Sequence, residues 1–296
     1  MVNVITDSVN IGRMDLSSFK SSPRIGAFAF ATFIEMKKSE LQKALAVSVK
    51  AARAAGKLMR QNLRESKIVN EATSHDIKLE LDVRCQKLIE KILRVAFPKI
   101  ALLGEEGDSG NTGEEWRWVV DPIDGTVNFA YGIPHACVSI ALQQRVGKNK
   151  YESLVGVVFD PFQDELWTAI RGEKALLNGS PISVSKRAKL ADCIVSIGFA
   201  KSKSSTERGL PYFAWLVQRV RKVRMLGSAA LGLTYVATGR LDAYIESGVS
   251  LWDVAAGGLI IECAGGKFWT QPIPGKEKVR MLATNGLVHK KLPPPK

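Results

Sequence analysis

The stretch "WRWVVDPIDGTVNFAYGIP", residues 116–134, begins as an apolar strand pattern and then packs two carboxylates, a glycine, a hydroxyl and an asparagine between Asp121 and Asn128. Asp121 stands where the strand pattern ends and Asp124 one turn later. Pro122 restricts the backbone between them, and Gly125 permits a conformation that a side chain would forbid. Two acids so close repel one another unless something positive lies between them. Such a turn can aim both carboxylates and a main-chain carbonyl at one point, and hard oxygens gathered there suit magnesium, which favours carboxylates, water and phosphate oxygens. Past the acids, the amides of Gly125 and Thr126 can form an anion cradle. The competing reading is local: an Asp-rich turn that caps itself, as "DP" and "DG" dipeptides commonly do.

Outward from this turn the chain alternates helical and strand patterns without a linker, repeat or low-complexity block. Upstream, "DVRCQKLIEKILRVAF" (82–97) sets Val83, Leu88, Ile92 and Val95 at helical intervals, and Pro98 ends the run. "IALLGEEG" (100–107) reads as a short buried strand presenting Glu105 and Glu106 at its end. Downstream, "HACVSIALQQ" (135–144), "LVGVVFDP" (154–161) and "DELWTAIRG" (164–172) read as successive strands with turn signals between them, an antiparallel meander closed by "GSPISVS" (179–185). From "CIVSIGFA" (193–200) onward, strands mix with helical stretches such as "SAALGLTYVATG" (228–239) and "WDVAAGGLIIECAGG" (252–266). The pattern predicts an α/β fold with a partly antiparallel sheet. The paired glycines at 257–258 and 265–266 form no GxGxxG after a strand, which excludes a classical dinucleotide fold.

A chain of 296 residues, 46% hydrophobic and 24% charged, is globular by composition and long enough to bury a sizeable core. No apolar run reaches bilayer length. The net charge is +13 and the isoelectric point about 9.6. The basic residues are spread along the chain, in pieces such as "RVRKVR" (219–224) and "SKRAK" (185–189), without interleaved aromatics. That argues for attraction of anionic substrates and ordinary solvated faces, and against dedicated nucleic-acid binding. Cys85, Cys137, Cys193 and Cys263 form no CxxC pair, which speaks for a reducing, cytoplasmic setting and against a zinc site.

Three segments are expected: an N-terminal extension at 1–35, then an α+β half at 36–185 carrying the acidic turn, and an α/β half at 186–296. In the extension, "IGAFAFATFI" (25–34) lies too far in for a secretory signal, and the acids argue against a transit peptide although the segment is serine-rich, so organelle targeting is the alternative to a cytoplasmic setting. The folded part is expected to open near Met36 on a helix that Ser39 could cap. Further acids stand where elements begin. Asp253 follows Trp252 at a helix start, where it could be a simple N-cap, and Asp76 and Asp82 flank "IKLEL" (77–81). His75, His135 and His289 show no ligand spacing and are expected to be structural or surface residues.

Taken in order, "GEEG", "WVVDPIDGTVNFAYGIP" and "GSAALGLTYVATGRLDAYIESGVSLWDVAAGGLIIECAGG" resemble the inositol monophosphatase family, magnesium-dependent and lithium-sensitive phosphatases that include archaeal-type fructose-1,6-bisphosphatases. The resemblance runs from about Met36 to about Lys290, with Cys263 where the family usually has Glu or Ala. It implies the family's layered α/β/α/β/α sandwich, usually a homodimer, with two or three Mg2+ ions. Carried over position by position, it implies metal ligation by Glu105, Asp121, the Ile123 carbonyl, Asp124 and Asp253, with Asp121 bridging two ions. It further implies phosphate binding by the amides of Gly125 and Thr126, and a catalytic group of Thr126, Asp82 and Glu105 around the attacking water. Substrate contacts are implied for Asp124, Gly227, Ser228, Ala229 and Glu246, which favour inositol monophosphate or a similar polyol phosphate. Relatives that cleave fructose bisphosphate, histidinol phosphate or adenosine 3',5'-bisphosphate supply the alternatives, and a non-catalytic RNA- or protein-binding member is a third. The chain departs from the family at "DIKLELD" (76–82), where Leu79 and Leu81 replace the usual threonines.

Overall fold

The computed structural model describes residues 36–67, 69–72, 77–148, 150–199, 203–274 and 278–295. The expected extension at 1–35, and with it Asp76 and His75, lies outside the described residues. The described residues begin with helix α1 (Lys38–Asn62), the strands β1 (Val69–Ala72) and β2 (Ile77–Leu79), helix α2 (Glu80–Ala96) and strand β3 (Ala101–Gly104). Strand β4 (Trp116–Asp124) leads into the short helix α3 (Thr126–Ala130). The meander β5 (Cys137–Gly147), β6 (Lys150–Asp160), β7 (Glu165–Ile170), β8 (Leu176–Leu177) and β9 (Ser180–Pro181) follows. The remainder is β10 (Ile194–Phe199), α4 (Lys203–Val217), β11 (Lys222–Arg224), α5 (Ala229–Ala237), β12 (Ala243–Ser250), α6 (Leu251–Cys263), β13 (Lys267–Pro272) and β14 (Lys278–Thr284).

These elements form five layers. A seven-stranded sheet runs in the order β3-β4-β5-β6-β7-β8-β9, antiparallel except for the parallel β3/β4 pair. A five-stranded sheet runs β11-β10-β12-β14-β13, with β10 parallel to both its neighbours. Helices α1 and α2 cover the outer face of the larger sheet, α5 and α6 lie between the sheets, and α4 covers the far face of the smaller one. The expected α/β/α/β/α sandwich is the fold observed.

The strands read as near-continuous apolar runs because both faces of each sheet are buried. In β4, Trp118 and Val120 point to the α1/α2 side while Val119 points to the α5/α6 side. In β5, Val138, Ile140 and Leu142 alternate in the same way with Cys137 and Ala141. The small residues of "WDVAAGGLII" have a matching cause. Helix α6 is buried without interruption from Val254 to Ile261 because it is sandwiched between two sheets, and a helix buried all round carries no polar stripe. A Cβ on Gly258 would stand 2.3 Å from the Phe268 ring, so the sheet could not approach a larger residue there.

The helix expected at 82–97 is present as α2, and two other local expectations are corrected. The buried stripe of α2 is Leu81, Cys85, Ile89 and Leu93, whereas Val95 is exposed. Of the run Val83-Leu88-Ile92-Val95, the first three are half-buried beside that stripe and Ile92 packs on the core. Ser39 lies inside α1, whose first turn is closed instead by Glu40 accepting the Lys37 amide at 3.0 Å. Strand β4 does not end at Asp121; it continues through a register shift, with Asp121 opposite Ser139 and Asp124 opposite Cys137.

A buried polar knot joins the end of the larger sheet's chain segment to the smaller sheet. Asp242, fully buried, accepts bonds from Arg187 Nε at 2.8 and 2.9 Å, from the Ile194 amide at 2.8 Å and from the Ser185 hydroxyl. Arg187 also donates to the Gly239 carbonyl, and Asn285 bridges Ser185 and the Arg187 carbonyl. Removing one partner of such a pair strands the other charge in a dry site. Arg187→Met is therefore expected to lower unfolding stability by about 2–3 kcal/mol, measured by urea unfolding. A loss within experimental error would show that Asp242 is satisfied without the guanidinium.

Candidate active site

The bulge in β4 turns its last residues so that two carboxylates meet. Asp121, Asp124 and Asp253 each place an oxygen within 4.8 Å of the others. Asp121 is fixed by accepting the Ile123 amide at 3.0 Å. Asp253 comes from the middle layer, in the first turn of α6, and accepts the Ser250 amide at 2.9 Å. It is thus the third residue of the helix, reaching back to the cap position, rather than the cap itself. The local explanation and membership of the cluster hold together, because a carboxylate has oxygens enough for both.

Asp124 is bound into a different helix. It accepts the Ser228 hydroxyl at 2.6 Å and the amides of Ala230 at 2.6 Å and Ala229 at 3.2 Å, which open α5. Ser228 and Ala229, expected as a substrate wall, line the cavity and hold this carboxylate as well. Glu105 follows β3, its amide donating to the Val120 carbonyl at 3.2 Å, and its carboxyl lies against that of Asp121. The loop carrying Glu105 is clamped by Gln86 of α2, whose amide nitrogen donates to the Gly107 carbonyl at 2.8 Å while its oxygen accepts the Glu106 amide at 3.0 Å.

Gly125 stands at φ +96°, where a Cβ would meet the His135 carbonyl at 2.9 Å, so the turn between β4 and α3 admits only glycine. The Thr126 hydroxyl lies 2.9 Å from the Ile123 carbonyl and 3.3 Å from Asp82. Asp82, in the first turn of α2, accepts the Leu79 amide at 2.8 Å with its other oxygen. Leu79 and Leu81, which take the place of threonines, are buried and point into the α1/α2 core.

Electrostatically the site is overcharged. Burial, reinforced by Glu105, Asp124 and Asp253, holds Asp121 well above the usual carboxylate range. Burial does the same to Asp253, with Asp124 and Glu105 adding to it, and raises Asp124 against the opposing bonds from α5. Asp82 is pushed up to about 7, by burial first and by Glu105 and Glu106 after it. Such a set of dry hard-oxygen groups fits a divalent cation, which replaces the protons the cluster otherwise holds.

The acids lie at one end of a cavity of about 670 Å³. Its lining also includes the apolar Ile197, Phe199, Met225 and Leu226, together with Glu246 and Lys278. Glu246 accepts the Tyr244 hydroxyl, which fixes its direction. Gly227, at φ +76°, packs on the side chain of Asn128. Asn128, Gln86 and Tyr244 were not singled out from the sequence. Asn128 donates to the His135 and Leu226 carbonyls, both at 2.9 Å, and so ties α3 to the wall supplied by the other half. Its place in "DGTVNF" was the available signal. Gln86 and Tyr244 carried none, since each acts through a contact distant in sequence or on a face not visible in the pattern. Of the histidines, His289 bonds the Thr284 hydroxyl and His135 packs edge-on against Tyr235, its pKa lowered by burial.

The model of the inositol monophosphatase family matches residues 40–290. Inositol monophosphatase 1 of Solanum lycopersicum is 40% identical over 234 residues, covering 76% of this chain and 84% of that protein. The Nus factor SuhB of Xylella fastidiosa is 40% identical over 227 residues, covering 75% and 80%. Among solved structures, inositol monophosphatase from Anabaena superposes with a TM-score of 0.74 at 36% identity, covering 86% of this chain and 94% of that one. With the fold, the acidic cluster and these relatives in agreement, the chain belongs to the inositol monophosphatase family and is an enzyme of the phosphoric monoester hydrolase class.

Proposed function

We propose that the protein is a Mg2+-dependent phosphatase of inositol monophosphate or a similar small polyol phosphate. The observation that carries this reading is the convergence of Asp121, Asp124 and Asp253, with Glu105 beside them, at the foot of a cavity of sugar-phosphate size. In this reading Glu105, Asp121, the Ile123 carbonyl, Asp124 and Asp253 hold two or three Mg2+ ions. Bound there, the ions would lower the pKa of a water, polarise the phosphoryl group and stabilise the leaving oxygen.

The chain's own residues supply orientation. Thr126, hydrogen-bonded between Ile123 and Asp82, presents a hydroxyl that can direct a water toward phosphorus. Asp82, with a pKa near neutrality, can take up the proton that Thr126 passes on. Glu105 is carried into the same group by the Gln86 clamp. The Gly125 and Thr126 amides would receive the phosphate oxygens. Glu246, steered by Tyr244 and near enough to Asp253 to raise the pKa of that carboxyl, offers an acceptor to a ring hydroxyl, while Gly227, Ser228 and Ala229 border the ring. A polyol suits this arrangement because the cavity joins an ionic cluster to a hydroxyl acceptor and apolar surface. The setting proposed is the cytoplasm, in keeping with four free cysteines, and the assembly a homodimer like that usual in the family. Among the described residues, no helix is long and apolar enough to cross a membrane.

Asp253→Asn is the cleanest test of the cluster, because an amide oxygen can still accept the Ser250 amide, whereas any change at Asp124 also uncaps α5. It is expected to lower kcat on inositol 1-phosphate by about 1,000-fold or more, the equivalent of several kcal/mol of lost charge stabilisation, with little change in the melting temperature. Retention of near-normal turnover would exclude the assignment.

Stability should respond to pH and cation together. Asp82 has a folded-state value near 7 against 3.8 for the free group, so the metal-free fold holds a proton that the unfolded chain has already lost between those values. Its stability should fall as pH rises from about 4 to about 7. Because burial also raises the ligands Asp121, Asp124 and Asp253, Mg2+ must displace their protons, and it should raise the melting temperature more at pH 8 than at pH 5, read by differential scanning fluorimetry; a gain that ignores pH would contradict the account. Glu246→Gln is expected to raise KM for inositol 1-phosphate about tenfold while leaving the Mg2+ requirement unchanged. Equal effects on a phosphate ester lacking ring hydroxyls would remove Glu246 from the substrate's path.

A further inference from the structure

Some of the basic residues that are scattered in sequence meet in space. In the smaller sheet, β10, β11 and β12 run parallel, so the chain enters all three at one end, at residues 194, 222 and 243. The cavity is built at the opposite end, from residues 197–199, 225–229 and those following Tyr244. At the entry end three loops meet around the buried Cys193. The amides of Arg221 and Lys222 both donate to the Cys193 carbonyl, the Cys193 thiol donates to the Lys189 carbonyl, and Lys291 Nζ donates to the Ala188 carbonyl at 2.7 Å. Lys186 and Lys189 from the first loop, Arg219, Arg221 and Lys222 from the second, and Lys290 and Lys291 from the third are all exposed. Within these three loops the acid at the surface is Asp192, which Arg221 engages at 3.0 Å; Asp242, buried beneath, is taken up by Arg187.

Two features give this surface a direction. On α4, Tyr212 and Trp215 stack in parallel, with ring centroids 5.7 Å apart and planes within 6°, and the Arg219 guanidinium sits 4.7 Å above Trp215. The Tyr212 hydroxyl donates to the Pro293 carbonyl at 2.7 Å, which seats the third loop against this column. Arg219 on its ring and Arg221 on Asp192 are therefore planar forks held in fixed orientation, a geometry that suits phosphodiester oxygens.

We propose that the entry end of the smaller sheet is a binding surface for single-stranded RNA, separate from the phosphatase site. Placed away from the cavity mouth, this charge does not serve to draw the substrate in. A flexible polyanion with evenly repeating charge can follow cations contributed by three loops, whereas a folded acidic protein would have to match them in shape. Tyr212 and Trp215 are committed to each other, to Arg219 and to Pro293, so neither is free to anchor in a bilayer. The solvent face of α1 is also basic, and its Lys38 and Arg53 are paired with Glu173 and Asp164 much as Arg221 is with Asp192, but α1 contains no aromatic residue and so no stacked column of its own to hold a guanidinium in place.

The test is fluorescence anisotropy of a labelled single-stranded oligouridine titrated with the full chain at several salt concentrations. Binding is expected with Kd on the order of micromolar at low salt, weakening steeply as salt rises. The triple variant Arg219→Glu, Arg221→Glu, Lys222→Glu should lose at least tenfold in affinity and lower the log–log salt slope by about 2 units, at roughly 0.7 for each phosphate left without its cation. Mg2+-dependent phosphatase activity of this variant should be unchanged. A second triple variant on α1, Lys50→Glu, Lys57→Glu, Arg60→Glu, makes the same change in net charge and should retain most of the binding. Equal losses in both variants would show diffuse charge rather than a site and would overturn the proposal. So would no binding at low salt, or retention by polyglutamate or by phosphatidylserine vesicles as tight as by RNA.

Discussion

Holding several carboxylates together in a dry place is the constraint on which the rest of this molecule depends. Asp121, Asp124 and Asp253 would repel one another apart in any structure that did not grip each one separately. The grip comes from three unrelated sources: a strand bulge and the Ile123 amide for Asp121, the first turn of α5 for Asp124, and the cap of α6 for Asp253. Helix N-termini are suited to this task because their unpaired amides and partial positive charge favour an anion. The two helices that provide them are the two that lie between the sheets. The middle layer of the sandwich is therefore the electrostatic support of the site as well as its hydrophobic filling.

That arrangement explains a sequence that otherwise looks overdetermined. A helix gripping Asp253 has to lie within reach of β4, with a sheet on either side of it. Only small residues on α6 let both sheets come close, hence "DVAAGG" directly after the tryptophan. The hydroxyls of the larger sheet take part too: Ser139 donates to the Trp252 carbonyl and Ser153 to the Ala255 carbonyl, at 3.2 and 2.9 Å. Packing and chemistry are coupled at the start of this one helix, where a bulkier residue would move a carboxylate.

The molecule also separates its charges. Negative charge is concentrated at the exit end of the parallel strands, where backbone turns and helix starts can hold it. Exposed positive charge gathers at the entry end, on loops with little acidic company. Parallel strands make this separation possible, since every connection must cross from one end of the sheet to the other, and the two ends are built from different loops.

Much of this was legible in the sequence. The acids of "DPIDGT", "GEE" and "WD" announce hard-ligand chemistry by residue type, and strand and helix periods place them at the ends of elements. Double-sided burial also shows, as apolar runs without alternation. Other features were set only by the assembled fold. The helical period of α2 was legible, but only packing showed that Leu81, Cys85, Ile89 and Leu93 form its fully buried stripe and that Val95 is exposed. Strand β4 continues through Asp121 because pairing with β5 absorbs a bulge, a property of two strands rather than one. Gln86 reads as an ordinary helix residue until the GEEG loop folds over it. The basic loops at 186–189, 219–222 and 290–291 become one surface only when three strand ends are brought side by side. Residue chemistry and local period are written along the chain, whereas register, the choice of buried face and the meeting of distant loops are energies of contact, which exist only once the layers have packed.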